Sequence, residues 1–126
     1  MPSDIIFIAD KKESSRFELI INSVKIVSFR VDENLKKWIE SAWKENGFSS
    51  RSDYLRNIIE DVVMNTDKYN FKNNGLLPFK CKYTVTFKID NSLLEKLDKI
   101  VEKKGYYTRS DFLRDLFNYL MNLTAE

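Results

Sequence analysis

In two short segments of the sequence, 26–31 and 84–89, polar side chains occupy every second position, except that Ile26 is apolar. The polar residues that alternate there with apolar ones are Ser28, Arg30, Thr84, Thr86 and Lys88. Short hydroxyls and long cationic side chains donate hydrogen bonds, and the cations also attract anions. These five residues are therefore suited to recognising acceptor groups or negative charge, rather than to making or breaking bonds.

The residue types that catalysis and metal binding usually need are scarce. The chain contains no histidine and one cysteine, Cys81, so it has no internal disulfide and no histidine-based metal cluster or catalytic relay. No glycine-rich phosphate loop or pairing of a nucleophile with a base is visible. We expect a protein that is not an enzyme, with no cofactor, no metal and no small-molecule ligand. We expect Cys81 to be a small, partly buried residue near a strand.

Composition indicates a globular protein of the cell interior. Of 126 residues, 43% are hydrophobic and 32% are charged. No apolar run approaches the roughly 18 residues that span a bilayer, and the short run 5–8 is flanked by Asp4 and Asp10, unlike a signal peptide. We therefore expect a cytoplasmic protein. The net charge of +2 is weak support for a nucleic-acid partner, so any such contact must come from local placement of cations.

The sequence contains an internal repeat at an offset of 58 positions. Residues 27–63 align on 85–121 without a gap, and turn residues match as well as apolar ones. The identical pairs are Val27/Val85, Phe29/Phe87, Asp32/Asp90, Leu35/Leu93, Gly47/Gly105, Arg51/Arg109, Ser52/Ser110, Asp53/Asp111, Leu55/Leu113 and Arg56/Arg114. A shared helical period would not align the turns, so we interpret the pattern as a duplication.

Each copy begins with a predicted strand and a predicted helix. The alternation predicts a half-buried strand with one apolar face: Val27, Phe29, Val31, Val85, Phe87 and Ile89. Asp32 and Asp90 occupy the N-cap position of the next helix, which ends at Gly47 or Gly105, a left-handed C-cap. The predicted buried residues of this helix are Leu35, Ile39 and Ala42 in one copy and Leu93, Leu97 and Ile100 in the other.

A second predicted helix opens at Ser50 or Thr108. Asp53 or Asp111 follows three positions later, which resembles a capping box with Asp in place of Glu. The predicted apolar stripes are Leu55, Ile58, Ile59 and Val62, and Leu113, Leu116, Phe117 and Leu120.

These elements predict a mainly α fold with a two-stranded antiparallel ribbon. A unit of about forty residues buries too little surface to stand alone, and an isolated strand needs a partner, so we expect the two copies to pair as an intramolecular pseudo-dimer. The predicted organisation is an N-terminal extension 1–24 (an extra β-hairpin or a contact between protomers), unit 1 at 25–65, a linker 66–82 and unit 2 at 83–124.

The order of strand, helix, glycine turn and Ser/Thr-Arg-Ser-acid helix start resembles ribbon-helix-helix repressors of the Arc, MetJ and CopG type, here in tandem. The resemblance covers 25–65 and 83–124. It implies a transcriptional regulator, a repressor, whose ribbon lies in the major groove of double-stranded DNA, and hence a nucleoid-associated protein. It also implies self-association on adjacent half-sites, and the tandem form implies an origin in an archaeal virus or another mobile element.

Two sets of DNA contacts are expected, of which the resemblance implies those at the helix starts. The predicted base contacts are Ile26, Ser28, Arg30, Thr84, Thr86 and Lys88, with Ile26 facing a thymine methyl. The predicted phosphate contacts are Ser49, Ser50, Arg51, Ser52, Tyr107, Thr108, Arg109 and Ser110 at the helix starts, and Lys80 and Lys82 before the second strand. For the helix starts, plain capping with an intrahelical ion pair is the alternative, and for the strand face and for Lys80 and Lys82 the alternative is ordinary solvation. The aligned outward residues differ, which predicts an imperfectly palindromic site.

Two other interpretations of the sequence stay open. In a helix-turn-helix protein the exposed face of the second helix would read bases, but in unit 1 that face carries Asn57, Glu60 and Asp61. In an antitoxin-type protein-interaction module, residues 1–24 would bind the partner.

Overall fold

A computed structural model describes residues 23–71 and 81–124 of the chain. Most of the predicted N-terminal extension 1–24, with its hairpin, lies outside the described residues, as does much of the linker, including Lys80. The first strand begins at Val24, one residue before the predicted start of unit 1.

The described chain is mainly helical with one two-stranded sheet. Its elements, in order, are β1 (Val24–Val31), α1 (Glu33–Glu45), α2 (Arg51–Met64), a 3₁₀ turn (Thr66–Lys68), β2 (Tyr83–Asp90), α3 (Asn91–Lys103) and α4 (Arg109–Thr124). The expectation of a mainly α protein with a two-stranded antiparallel ribbon is confirmed. No helix of the described ranges is long and apolar enough to cross a membrane.

The two strands form an antiparallel ribbon with one buried face. Ser28 lies opposite Thr86, and the register continues along all eight residues of each strand. The six residues predicted to face inward are each 2% exposed or less: Val27, Phe29, Val31, Val85, Phe87 and Ile89. Side chains alternate between the two faces of a strand, so the polar residues between these six lie on the opposite face.

Local sequence signals set the helix boundaries as predicted. A carboxylate oxygen (Oδ1) of Asp32 accepts a hydrogen bond from the N–H of Leu35 at 2.8 Å, and Asp90 caps α3 in the same way. Gly47 and Gly105 have φ of +79° and +81°, a conformation that costs other L-residues steric strain. The N–H groups of each glycine and of the residue after it bond carbonyls of the last turn, which is the Schellman arrangement.

The described chain has two halves, β1 to α2 and β2 to α4, and the second helix of each half packs on the strand of the other half. α2 contacts β2, and α4 contacts β1. The two halves also meet through their helices, α1 with α4 and α2 with α3. The ring of Phe29 in β1 stacks on Phe117 of α4 with centroids 5.6 Å apart and meets Phe87 of β2 edge-on. The halves therefore share one hydrophobic core.

The fully buried positions differ in part from the predicted apolar stripes. In α3 the buried residues are Leu94, Leu97 and Val101, whereas Leu93 and Ile100 are half-buried at the edge of the core. In α2, Tyr54 is buried and Ile58 is half-buried. In α4, Leu120 is half-buried, while Phe112 and the charged residues Arg114 and Asp115 are buried. The burial around α4 is broad because this helix contacts β1, α1 and α3 at once.

The first part of the predicted linker packs against the core. Tyr69 is 4% exposed, and its hydroxyl donates to the carboxylate of Asp61 near the end of α2. Lys68 and Asn65 donate to the same carboxylate. Cys81, before β2, is 5% exposed, which is more buried than predicted.

Candidate nucleic-acid interface

All six residues predicted to contact bases are exposed on the strands of the ribbon. They occupy alternate positions between the buried residues and so share the outward face: Ile26, Ser28, Arg30, Thr84, Thr86 and Lys88. Ile26 is 67% exposed although it is apolar. A ribbon with a donor-rich face has the shape and chemistry that the major groove admits.

The cross-strand pairs make the two ends of this face chemically different. At one end Ile26 pairs with Lys88, and at the other Arg30 pairs with Thr84. In the middle, the hydroxyl oxygens of Ser28 and Thr86 lie 3.0 Å apart and share a hydrogen bond. One end therefore presents an aliphatic side chain with an ammonium, and the other a hydroxyl with a guanidinium.

Arginines of the second helices hold the backbone of the ribbon. Arg56 Nη1 donates to the carbonyl of Lys88 at 3.1 Å, and Arg114 Nε donates to the carbonyl of Arg30 at 2.9 Å. Each arginine also pairs with the acid three residues before it, Asp53 or Asp111. These contacts were not predicted from the sequence, although the Leu-Arg identity at 55–56 and 113–114 was a signal for them.

Arg30 has further contacts. Its backbone N–H donates to Ser110 Oγ at 3.3 Å, and its side-chain Nε donates to the carbonyl of Cys81 at 3.0 Å. The guanidinium is thereby anchored to the chain that leads into β2. An arginine bonded at Nε still has the donors of its two terminal nitrogens for another partner.

The predicted caps of the second helices are present. Ser50 Oγ accepts from the N–H of Asp53 at 3.1 Å, and Thr108 Oγ1 accepts from Asp111 at 3.0 Å. The other N–H groups of each first turn have no intrahelical acceptor, and the helix dipole makes this end attractive to anions. The hydrogen bond that Asp53 accepts from Ser49, helped by Arg56 and Ser50, outweighs its partial desolvation and lowers the pKa of its carboxyl.

The arginines at the two helix starts form ion pairs with the preceding helices. Arg51 Nη1 lies 2.7 Å from Glu40, and Arg109 bonds both carboxylate oxygens of Asp98. These pairs join two helices, whereas the intrahelical pairs considered from the sequence are formed by Arg56 with Asp53 and by Arg114 with Asp111. The hydrogen bond with Asp98, together with its charge, raises the pKa of Arg109 despite partial desolvation. Both side chains keep about a third of their surface exposed, 34% for Arg51 and 35% for Arg109.

The remaining predicted phosphate contacts lie at the same two corners or beside β2. Ser52 and Ser110 are half-buried in the first turns of α2 and α4, Ser49 and Lys82 are exposed, and Tyr107 is 99% exposed. Residues 106–110 border a shallow depression that also includes Ser28 of the ribbon. The corner before α4 is therefore contiguous with the outward face. Arg51 Nη2 reaches the ribbon from the other corner, donating to the carbonyl of Thr86 at 3.3 Å.

A metal site is not apparent among residues 23–71 and 81–124. No group of three or more histidine, cysteine, aspartate or glutamate side chains in these ranges is arranged to hold a metal ion.

One stretch of the chain matches a curated regulator. Over 32 residues the chain is 56% identical to a protein of Rhizobium rhizogenes described as "Putative nickel-responsive regulator". The stretch is 25% of this chain and 22% of that protein, so the chain spans about a fifth of the length of this relative. No protein-family model matches the chain, and no solved structure matches it. The match does not bear on an archaeal or mobile-element origin, which stays a prediction.

Proposed function

We propose that the protein is a sequence-specific regulator of transcription that inserts its two-stranded ribbon into the major groove of double-stranded DNA. The observation that carries the proposal is the outward face of the ribbon, where donors alternate with buried residues: Ser28, Arg30, Thr84, Thr86 and Lys88. Such donors match the acceptors that base pairs display in the major groove. The 32-residue similarity to a regulator supports the regulatory role.

We further propose that the ribbon belongs to a tandem ribbon-helix-helix pseudo-dimer within one chain, with units at 25–65 and 83–124 and a linker at 66–82. The register supports this, because Ser28 pairs with the residue 58 positions later, which is also the repeat offset. The arginine contacts support it as well. Arg56 and Arg114 are 58 positions apart, and so are Arg30 and Lys88. Arg56 bonds the carbonyl of Lys88, and Arg114 bonds the carbonyl of Arg30.

Each outward side chain suits a particular base edge. The fork of Arg30 fits guanine O6 and N7, whereas Lys88 acts as a point donor. Ser28, Thr84 and Thr86 are short donors, and Ile26 suits a thymine methyl. Because the two ends of the ribbon carry different pairs, the operator is an imperfect palindrome.

Phosphate contacts are proposed at the two helix starts and beside β2. First-turn N–H groups that lack an intrahelical acceptor favour an anion there, and Arg51 and Arg109 bring cations that their acid partners neutralise in part. The proposed contacts are Ser49, Ser50, Arg51, Ser52, Tyr107, Thr108, Arg109, Ser110, Lys80 and Lys82. Binding over a promoter would repress transcription by excluding polymerase, and copies on adjacent half-sites would extend the covered DNA.

The ribbon is a better reading surface than the second helices. On the exposed side of α2 lie Asn57 and Glu60, and the nearby Asp61 carboxylate already binds Lys68 and Tyr69. Acids on that side would be repelled by phosphate. A nickel response is not part of the proposal, because the chain lacks the imidazole ligands that suit this metal.

The decisive experiment is selection of binding sites from random duplex DNA, followed by mobility-shift titration of the selected site. Arg30→Ala and Lys88→Ala should each weaken specific binding at least tenfold, because each removes a donor to a base. Lys37→Ala is the control, since Lys37 is an exposed lysine of α1 that pairs with Glu33. A selected pool without sequence preference, or ribbon variants that bind as well as the control, would overturn the proposal.

A further inference from the structure

Building on the proposed function, we infer that the two ends of the ribbon read DNA with unequal stringency. Arg30 is the specificity-determining residue of the strictly read half-site, and Lys88 serves a permissive half-site. The inference comes from the way in which the structure holds these two residues, which occupy corresponding positions 58 residues apart.

Arg30 is held at three atoms besides its strand pairing. Its N–H donates to Ser110 Oγ, its carbonyl accepts from Arg114 Nε, and its own Nε donates to the carbonyl of Cys81. These partners belong to α4 and to the segment before β2. Both the backbone and the guanidinium of Arg30 are therefore fixed from the other half of the chain.

In the part of the chain that the structure describes, Lys88 is held at one backbone atom besides its strand pairing. Its carbonyl accepts from Arg56 Nη1 at 3.1 Å. Among the described residues, no hydrogen bond or ion pair anchors its ammonium, whereas the Arg30 guanidinium is anchored.

Arg114, which bonds the backbone of Arg30, is more deeply buried than Arg56, which bonds the backbone of Lys88. The side chain of Arg114 is 4% exposed, and it also bonds Asp111 and Ser110. The side chain of Arg56 is 35% exposed and pairs with Asp53. A buried arginine with several partners loses little further freedom when its neighbour binds, so the support under Arg30 is the stiffer one.

This difference in support sets the selectivity of each end. A guanidinium that is already oriented loses little conformational entropy when it binds guanine, and any other base leaves some of its N–H donors without acceptors. A mobile ammonium can turn to another acceptor, so it tolerates substitution. The neighbours add to the contrast, because Thr84 beside Arg30 is a donor while Ile26 beside Lys88 offers an apolar contact.

The test is a set of single base-pair substitutions across the selected operator, with the dissociation constant measured for each. The half-site facing Arg30 should contain a guanine whose replacement weakens binding tenfold or more. No substitution in the half facing Lys88 should cost more than about threefold, because a mobile point donor adapts. Equal penalties in the two halves would overturn this inference while leaving DNA binding intact, whereas absence of any preferred sequence would overturn the proposed function itself.

Matched serine variants test whether the support under Arg30 matters. Ser110→Ala removes the acceptor for the Arg30 N–H, and Ser52→Ala is the aligned change in the other half. Any phosphate contact by the hydroxyl would be lost equally in both variants. Only Ser110→Ala should reduce the loss of affinity that follows replacement of the guanine, by about threefold or more. Thermal unfolding confirms that both variants fold. Equal profiles for the two variants would contradict the positioning role.

A reciprocal exchange assigns the residues. With Arg30→Lys, base-pair substitutions in the strict half-site should weaken binding no more than substitutions in the permissive half-site do. Lys88→Arg should not make the permissive half equally strict, because it gains the fork without the anchor that Cys81 gives Arg30. If Lys88→Arg created a tenfold penalty in its half, side-chain type alone would explain the difference and the inference would be wrong.

Discussion

Ser28 and Thr86 face each other at the centre of the ribbon, and their hydroxyl oxygens are 3.0 Å apart. The two residues are separated by 58 positions, the offset at which the halves of the sequence align. The outward face is therefore organised around this pair, with Arg30 on one side of it and Lys88 on the other.

Removing this central hydrogen bond should destabilise the ribbon slightly. In a double-mutant cycle of Ser28→Ala and Thr86→Ala, we expect a coupling of about 0.2–1 kcal/mol in the free energy of unfolding, which is typical of exposed cross-strand hydroxyl pairs. Urea unfolding measures it. Strictly additive single variants would mean that the two hydroxyls do not interact in solution.

Both helix-ending glycines should resist replacement because of their backbone conformation alone. A Cβ added at Gly47 or Gly105 would meet nothing within 4 Å, so Ala costs only the left-handed strain, about 1–2 kcal/mol at each site. Gly→Asn at the same sites should cost less, since Asn tolerates this region better. Urea denaturation that ranked Asn below Ala would contradict this explanation.

The acid response of stability should depend on Asp61. Hydrogen bonds from Tyr69, Lys68 and Asn65 outweigh a small desolvation and lower the pKa of its carboxyl to about 2. The folded-state pKa lies below the unfolded value of about 4. The stabilisation is therefore present above pH 4 and is lost as the pH falls toward 2. The advantage of the wild-type protein over Asp61→Asn in urea unfolding should shrink across this interval, and a constant difference would exclude the linkage.

A buried hydrogen bond should stabilise the start of α4. Tyr106 is 7% exposed, and its hydroxyl donates to the carboxylate of Asp115 at 2.8 Å. Tyr106→Phe should lower the free energy of unfolding by about 1.5–3 kcal/mol, as for other bonds to charged groups.

The same bond predicts an alkaline effect. Burial and then Asp115 raise the pKa of Tyr106 above its ordinary value near 10. Its stabilisation is therefore complete below pH 10 and declines at higher pH as the phenol ionises. The gap between Tyr106→Phe and wild type should narrow above pH 10, and a gap that widened there would contradict this assignment.

Salt dependence should identify the phosphate contacts. If Arg51 and Arg109 each neutralise a phosphate, Arg51→Gln and Arg109→Gln should each reduce the slope of log K against log salt by up to about 0.9. Their exposed ion pairs contribute about 1 kcal/mol or less to folding, so both variants should remain folded. Lys37→Ala should leave the slope unchanged, and arginine variants that did the same would remove these residues from the interface.

Much of the local structure could be predicted from the sequence, but side-chain partnerships could not. The caps at Asp32 and Ser50 and the glycine ends were correct, because each depends on residues within a few positions. The buried positions of α3 were predicted at Leu93 and Ile100, because several spacings fit a helical period. In the folded chain Leu94 and Val101 are buried instead. Arg114 and Asp115 are buried although charged residues usually lie at the surface, and no local sequence pattern marks them as buried.

The sequence by itself determined the elements and the alternating faces of the ribbon. The physical reason is that capping, left-handed glycine turns and a period of two act over short distances along the chain. Only the tertiary structure decided how the ends of the ribbon are held. Arg56 and Lys88 are 32 positions apart, and Arg114 and Arg30 are 84 positions apart. Contacts at such separations depend on the packing of α2 and α4 across the opposite strands. That packing anchors Arg30 more firmly than Lys88.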